Sequence, residues 1–170
     1  NKPLNGKWSF DTENRKRIPK NLEVPRTKKL SYDKELLEKY KNIIENKYSS
    51  NPGSLADFNY PINKKQCLDV LSNFLISKFS LFGNYQDAII SDKTYLFHSI
   101  ISPGLNIGLI TPKEVVNSAI DFSNKSNIEF NSLEGFVRQI LGWREFIRGI
   151  YITNGKSQKE SNYWEAKNKL

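Results

Sequence analysis

The run Leu133–Tyr151, LEGFVRQILGWREFIRGIY, constrains this chain more than any other stretch. Val137, Ile140, Leu141, Arg144 and Ile147 recur at the spacing of one helical face, which predicts a long amphipathic helix. Gln139, Trp143 and Phe146 form an adjacent stripe at i, i+4 and i+7. That stripe is unusual, because it sets an amide and an indole beside a guanidinium where a plain surface helix carries Lys and Glu. Arg138, Arg144, Glu145 and Arg148 crowd charge around a segment too apolar to be a solvated face. Gly142 and Gly149 each cost about 1 kcal/mol in a helix interior, which points to something approaching that backbone closely. Two readings fit these residues: a core helix holding a buried Arg–Glu pair, or the wall of a site.

The remaining segments read as helices too. Asp33 is placed to cap an amphipathic helix whose stripe is Leu36, Leu37, Tyr40, Ile43, Ile44 and Tyr48. SSNPGS at 49–54 is a loop. Asn63, with Gln66 three residues on, opens a second helix carrying Leu68, Leu71, Phe74, Leu75 and Phe79 inward as far as Gly83, a suitable stop. Asp92 is expected to cap a short helix through Ile101, and Ser102-Pro103 reads as the cap and first residue of another. Thr111-Pro112-Lys113-Glu114 is a capping box for a helix carrying Val115, Val116, Ala119, Ile120 and Phe122. Asn131–Glu134 caps the long helix, and a further capping box at Ser157–Glu160 predicts a last helix with Tyr163 and Trp164. No stretch alternates with period two for long enough to build a sheet. The expectation is an all-α chain of about six helices.

Composition narrows the chemistry. The 170 residues hold one cysteine, Cys67, one histidine, His98, and no methionine, which excludes an intrachain disulfide and two-histidine or cysteine-rich metal motifs from this chain alone. No apolar run approaches the roughly 20 residues that cross a bilayer, and no signal peptide is present. A lone thiol fits a reducing compartment, and a cytoplasmic location is expected. Because the sequence opens on Asn and lacks Met, it reads as a segment of a longer protein. The net charge of +8 favours a polyanionic partner such as nucleic acid, although a Lys/Asn-rich composition gives the same excess. Arginines gather at Arg15–Arg17 and Arg144–Arg148. Residues 1–30 lack periodicity and are broken by Pro3, Pro19 and Pro25, so they read as an extended connector anchored by burying Trp8 and Phe10. Exposed N–H groups at the Ser102-Pro103 turn, flanked by the Ser99 and Ser102 hydroxyls, offer an anion site suited to a diphosphate.

Three motifs in order and register, GKWSFDTENRKRIP, FGNYQDAIISDKTYLFHSIISPGLNIGLI and EGFVRQILGWREFIRGIY, resemble the photolyase–cryptochrome superfamily. The likeness is strongest to its deoxyribodipyrimidine photolyase-related branch, the prokaryotic iron–sulfur (6-4) photolyases, and it fades after Tyr151. The resemblance implies that residues 1–30 are an interdomain connector and 31–170 the N-terminal half of a helical FAD-binding domain. It implies that His98, Ser99, Ile101 and Ser102 hold the FAD diphosphate with Leu105 beside them, and that Tyr85 packs near the ribityl and phosphate groups. By the same likeness Trp143 stacks on a flipped DNA lesion, Gln139 replaces the family's lesion-binding Glu, and Arg144 with Glu145 braces the helix. Gln139 and Trp143 are thus the expected catalytic residues, and Gln139, Trp143 and Arg144 join the flavin contacts. Gly104 stands where many relatives carry Tyr.

The function so implied is light-driven electron transfer from reduced FAD to UV-damaged DNA, with (6-4) photoproducts as the substrate. The rival readings are a cryptochrome-like blue-light receptor and a basic helical nucleic-acid-binding module without flavin. An antenna domain, a C-terminal half and an iron–sulfur cluster are expected of the parent protein, with the cluster ligands outside this chain and no metal site within it.

Overall fold

The computed structural model describes residues 2–3, 6–10, 14–162 and 164–166. Six helices follow one another: α1 (Lys34–Lys47), α2 (Lys64–Ser77), α3 (Phe79–Tyr85), α4 (Ser102–Asn106), α5 (Pro112–Ser126) and α6 (Phe130–Glu160). Among the described residues no strand forms, and none of the helices is long and apolar enough to cross a membrane. The all-α expectation holds at this level.

The core forms where α2, α3, α5 and the first half of α6 meet. Phe74, Phe79, Phe82 and Phe136 interlock: Phe136 meets Phe79 and Phe82 edge to face at 5.6 Å and lies tilted against Phe74 at 4.7 Å. Cys67, Leu71, Ile101, Ile110, Val115 and Ala119 close the cluster around them. Leu68, expected in the α2 stripe, is 42% exposed, and Cys67 and Val70 bury instead. The capping box at Thr111 forms as the sequence predicts, with Glu114 Oε2 accepting from the Thr111 N–H at 2.8 Å. Lys64 adds an ion pair to Glu114 at 2.6 Å. The hydrogen bond from Lys64, reinforced by both Thr111 groups, draws the Glu114 pKa down to about 2.

Several boundaries differ from expectation. The helix after Asn63 does not run on to Gly83. It breaks at Lys78, which ends α2 and begins α3, and the turn swings Phe79 fully inward. Gly83 lies inside α3 as a point of close approach to α6. Residues 91–100 form turns in place of the short helix expected from Asp92, since Leu96 (φ 37°) and Ile100 (φ 59°) adopt left-handed backbone. Helix α6 begins at Phe130 with Glu129 as an uncapped start, because the Asn131 side chain bonds to Asn84 and Glu134 accepts the Phe10 N–H at 2.6 Å. The separate last helix is absent among the described residues. No proline interrupts residues 151–160, the Thr153 hydroxyl bonds the Gly149 carbonyl, and α6 continues through the supposed box at Ser157. Trp164 follows it, 83% exposed, and Tyr163 lies outside the described residues.

The described residues before Ser31 form no helix, and the anchor differs from expectation. Trp8 is 76% exposed, whereas Phe10 packs edge-on against Phe130 at 4.9 Å. Lys16 N donates to the Asn84 carbonyl and Asp87 N to that of Asn14, which straps the basic cluster onto the end of α3. Helix α1 forms on its Asp33 cap, but its stripe does not reach the core, and Leu36, Tyr40, Ile43, Ile44 and Tyr48 are all exposed.

Lys78 is a buried cation whose ammonium donates to Thr27 Oγ1 at 3.1 Å. Burial lowers its pKa from 10.5 to about 8. Between those values the unfolded chain holds a proton that the native state has released, so stability rises as pH climbs through this window. Lys78→Met is expected to flatten that rise. Urea midpoints at about pH 8 and about pH 10 check this, and an identical rise in the variant rules out Lys78 as its source.

A candidate cofactor cavity

Three segments converge on an open cavity of about 1060 Å³: the end of α3 with the residues after it, the loop 98–100 with α4, and the middle of α6. Its size reaches the upper end of small-molecule sites, about 300–1,000 Å³. The loop presents its groups through a strained backbone. Ile100 is β-branched at φ 59°, a conformation that such residues rarely hold without support. This twist buries Ile101 at 1% exposure and leaves His98, Ser99, Ile100 and Ser102 on the cavity wall. Leu105 and Asn106 continue that wall from α4.

The Ser102 turn differs in detail from expectation. Ile101 is the N-cap, Ser102 and Pro103 are the first two helical residues, and no side chain caps the start. The helix spans five residues, too short for much of a dipole. Positive charge reaches the cavity instead from Arg144 and Arg148 of α6. Gly104 is required by packing: a Cβ there would meet the Cys67 sulfur at 2.5 Å, so a larger residue at this position is incompatible with Cys67 beneath it.

Across the cavity, α6 contributes Phe136, Gln139, Ile140, Trp143, Arg144, Ile147, Arg148 and Tyr151. Trp143 is 64% exposed and stacks on Phe146 at 5.6 Å. Ile140 is buried, while Ile147, read from sequence as core, is cavity wall and 46% exposed. The expected Arg144–Glu145 brace does not form, since adjacent helical positions face apart. Arg144 Nη1 donates to the Ile140 carbonyl at 2.8 Å, and Glu145 pairs with Arg148 at 3.3 Å on the surface. Gly142 and Gly149 face open space.

Of the residues singled out from sequence, His98, Ser99, Ser102, Leu105, Gln139, Trp143 and Arg144 share this one cavity. Ile101 lies behind the wall in the core. Tyr85 is not among the lining residues, and its ring lies 5.3 Å from Phe97. Sequence reasoning missed Gln86 and Asp87. Both follow α3 outside any periodic pattern, and only the fold turns them toward α6. Gln86 is 2% exposed, and Gln139 Nε2 donates to its Oε1 at 3.4 Å. The His98 imidazole stays accessible through the cavity, yet partial burial, followed by the nearby charge of Lys78, lowers its pKa against the opposing pull of Asp87.

Similarity to known proteins follows the same lines. A family model described as deoxyribodipyrimidine photo-lyase-related protein matches residues 1–60. The (6-4) photolyase of Agrobacterium fabrum is 33% identical over 163 residues, which is 96% of this chain and 32% of that protein. Both comparisons relate this chain to the photolyase-related family. Uncharacterized protein R853 of Acanthamoeba polyphaga mimivirus is 47% identical over 87 residues, 51% of this chain and 66% of that protein. The photolyase-related chain thus spans about a third of the bacterial relative and about two thirds of the viral one. Among its described residues no group of His, Cys, Asp and Glu is arranged to hold a metal ion.

Proposed function

We propose that this chain forms the N-terminal half of a helical FAD-binding domain, residues 31–170, joined by an extended connector, residues 1–30, to the rest of a DNA photolyase. Its substrate on this reading is UV-damaged DNA carrying (6-4) photoproducts. The observation that carries the reading is the cavity, in which a polar corner faces an aromatic and aliphatic wall within one open volume. That division suits a dinucleotide with charged phosphates at one end and a flat ring system at the other.

The residues present fit such a group. The Ser99 and Ser102 hydroxyls, the Asn106 amide and the Arg144 guanidinium supply donors for a diphosphate. Ile101 and Tyr85 support that corner from behind, and Leu105 gives it an apolar floor. Reduced FAD, when bound, supplies the electron for repair. The chain's own part is to bind, orient and exclude. Trp143 offers a face on which a base taken out of the duplex can stack, and Gln139 offers an amide that hydrogen-bonds without ionising. The net charge of +8 favours approach of the DNA backbone. An iron–sulfur cluster, if the whole protein carries one, takes its ligands from outside this chain.

Titration with FAD, followed by flavin absorbance and fluorescence, tests the site. Ser102→Asp sets a like charge against the diphosphate and is expected to weaken FAD binding at least about tenfold. Undiminished affinity in a folded Ser102→Asp variant refutes the diphosphate assignment. Blue-light conversion of (6-4) lesions by the whole protein tests the repair role, since a light receptor of the same fold leaves them intact.

A further inference from the structure

A second cavity, of about 690 Å³, shares no lining residue with the first. Its walls come from the chain between Val24 and Tyr32, from Leu37 of α1, from the loop 55–59 and from the turn 92–96. Hydrogen bonds between these stretches hold it in shape. The Asn59 side chain accepts from the Leu30 N–H at 2.8 Å and donates to the Lys28 carbonyl at 3.0 Å, which fastens the first stretch to the loop. The Tyr32 hydroxyl donates to the Tyr60 carbonyl at 3.0 Å, and its ring lies against Phe58 at 5.4 Å. On the turn, Leu96 is buried at φ 37°, a strained backbone that persists only where surrounding structure supports it.

Leu30, Leu37, Phe58 and Leu96, with the rings of Tyr32 and Tyr95, give this cavity an apolar and aromatic lining. Its volume falls within the range of small-molecule sites, about 300–1,000 Å³. Thr27 adds a polar group whose direction is set from behind the wall. The buried Lys78 ammonium donates to Thr27 Oγ1 at 3.1 Å, and an ammonium cannot accept, so the Thr27 O–H is left to donate elsewhere. Among the described residues Lys78 forms no ion pair, and a buried cation without a carboxylate beside it favours an anion nearby. Arg26, Lys29 and Lys93 also line the cavity, against the carboxylates of Asp57 and Asp92. With Lys78, four cations stand against two anions.

We propose that this second cavity binds a small aromatic acid, a flat ring system bearing one anionic group, with the rings against the Tyr32, Phe58 and Tyr95 wall and the anionic oxygen accepting from the Thr27 hydroxyl. Lys78 is a positioning residue: it is too buried to touch the ligand, but it orients the hydroxyl and attracts the anion through it. A hydroxyl that accepts from a cation while donating to an anion makes two charge-assisted hydrogen bonds. The carboxylates of Asp57 and Asp92 disfavour a second negative charge, which limits the ligand to a monoanion. A neutral aromatic gains the ring contacts without the charge-assisted bond, so the site distinguishes an acid from its amide. The inference stands apart from the flavin reading, since no lining residue of the first cavity takes part.

Naphthalene carboxylate and its neutral counterpart, naphthalene carboxamide, titrated into the full chain and followed in ¹H–¹⁵N amide spectra, test the proposal. The carboxylate is expected to bind at least about tenfold more tightly than the carboxamide, with the largest shifts at Thr27, Phe58 and Tyr95. Thr27→Val keeps the shape of the side chain without its donor and is expected to abolish that preference, while Thr27→Ser retains it. Equal affinities for the two probes in the unaltered chain overturn the proposal whether or not a variant folds. A preference that survives in folded Thr27→Val overturns it too. So do shifts confined to the neighbourhood of Ser102 and Trp143, which put the probes in the first cavity, and a failure of both probes to bind at millimolar concentration.

Discussion

Gly83→Ala is expected to cost at least about 3 kcal/mol of folding stability, although alanine is the better helix former by about 1 kcal/mol. The reason is the closeness of α3 and α6. A Cβ on residue 83 would sit 2.5 Å from the Ser132 backbone nitrogen and 2.7 Å from the Asn131 carbonyl carbon. Backbone atoms on an adjacent helix cannot swing aside as a flexible side chain does, so the helices must separate. Separation also breaks the bond from the Gly83 N–H to Ser132 Oγ, 2.9 Å long and buried. Since whole domains are stable by only about 5–15 kcal/mol, a large part of the margin goes with one methyl group. Urea unfolding measures the loss. A variant as stable as the parent, with an unchanged slope, means that the close approach does not constrain the fold.

Phe136→Ala is expected to cost about 3–5 kcal/mol and to distort the cavity as well. The ring is 2% exposed, meets Phe74, Phe79 and Phe82, and also forms part of the cavity wall. Its removal opens a void between core and site, and neighbouring aromatic rings cannot collapse into that space without leaving their own contacts. Phe136→Leu keeps most of the volume and should lose far less, about 1–1.5 kcal/mol. Thermal and denaturant unfolding of the two variants compares them directly. A loss below about 1 kcal/mol for Phe136→Ala contradicts a shared role in core and wall.

Relatedness to a (6-4) photolyase gives these residues a functional frame, and the cavity gives that frame chemistry. Light-driven repair remains the reading to test in the whole protein. The Ser102 variant tests its phosphate end.

Sequence by itself determined the all-helical class, the caps at Asp33, Asn63 and Thr111, and the inward placement of Phe74 and Phe79. These depend on groups within one turn of each other, so local spacing contains the answer. It also brought His98, Ser99, Ser102, Gln139, Trp143 and Arg144 forward, which the fold gathers around one cavity. Three matters were decided by tertiary structure alone. Gly83 looks like a helix stop until α6 is placed against it. The stripe of α1 looks like core until the helix is found with none of its residues buried. Gln86 shows no pattern in the chain, yet it accepts from Gln139, more than 50 residues away, because a contact of that sequence separation exists only after α3 and α6 have packed.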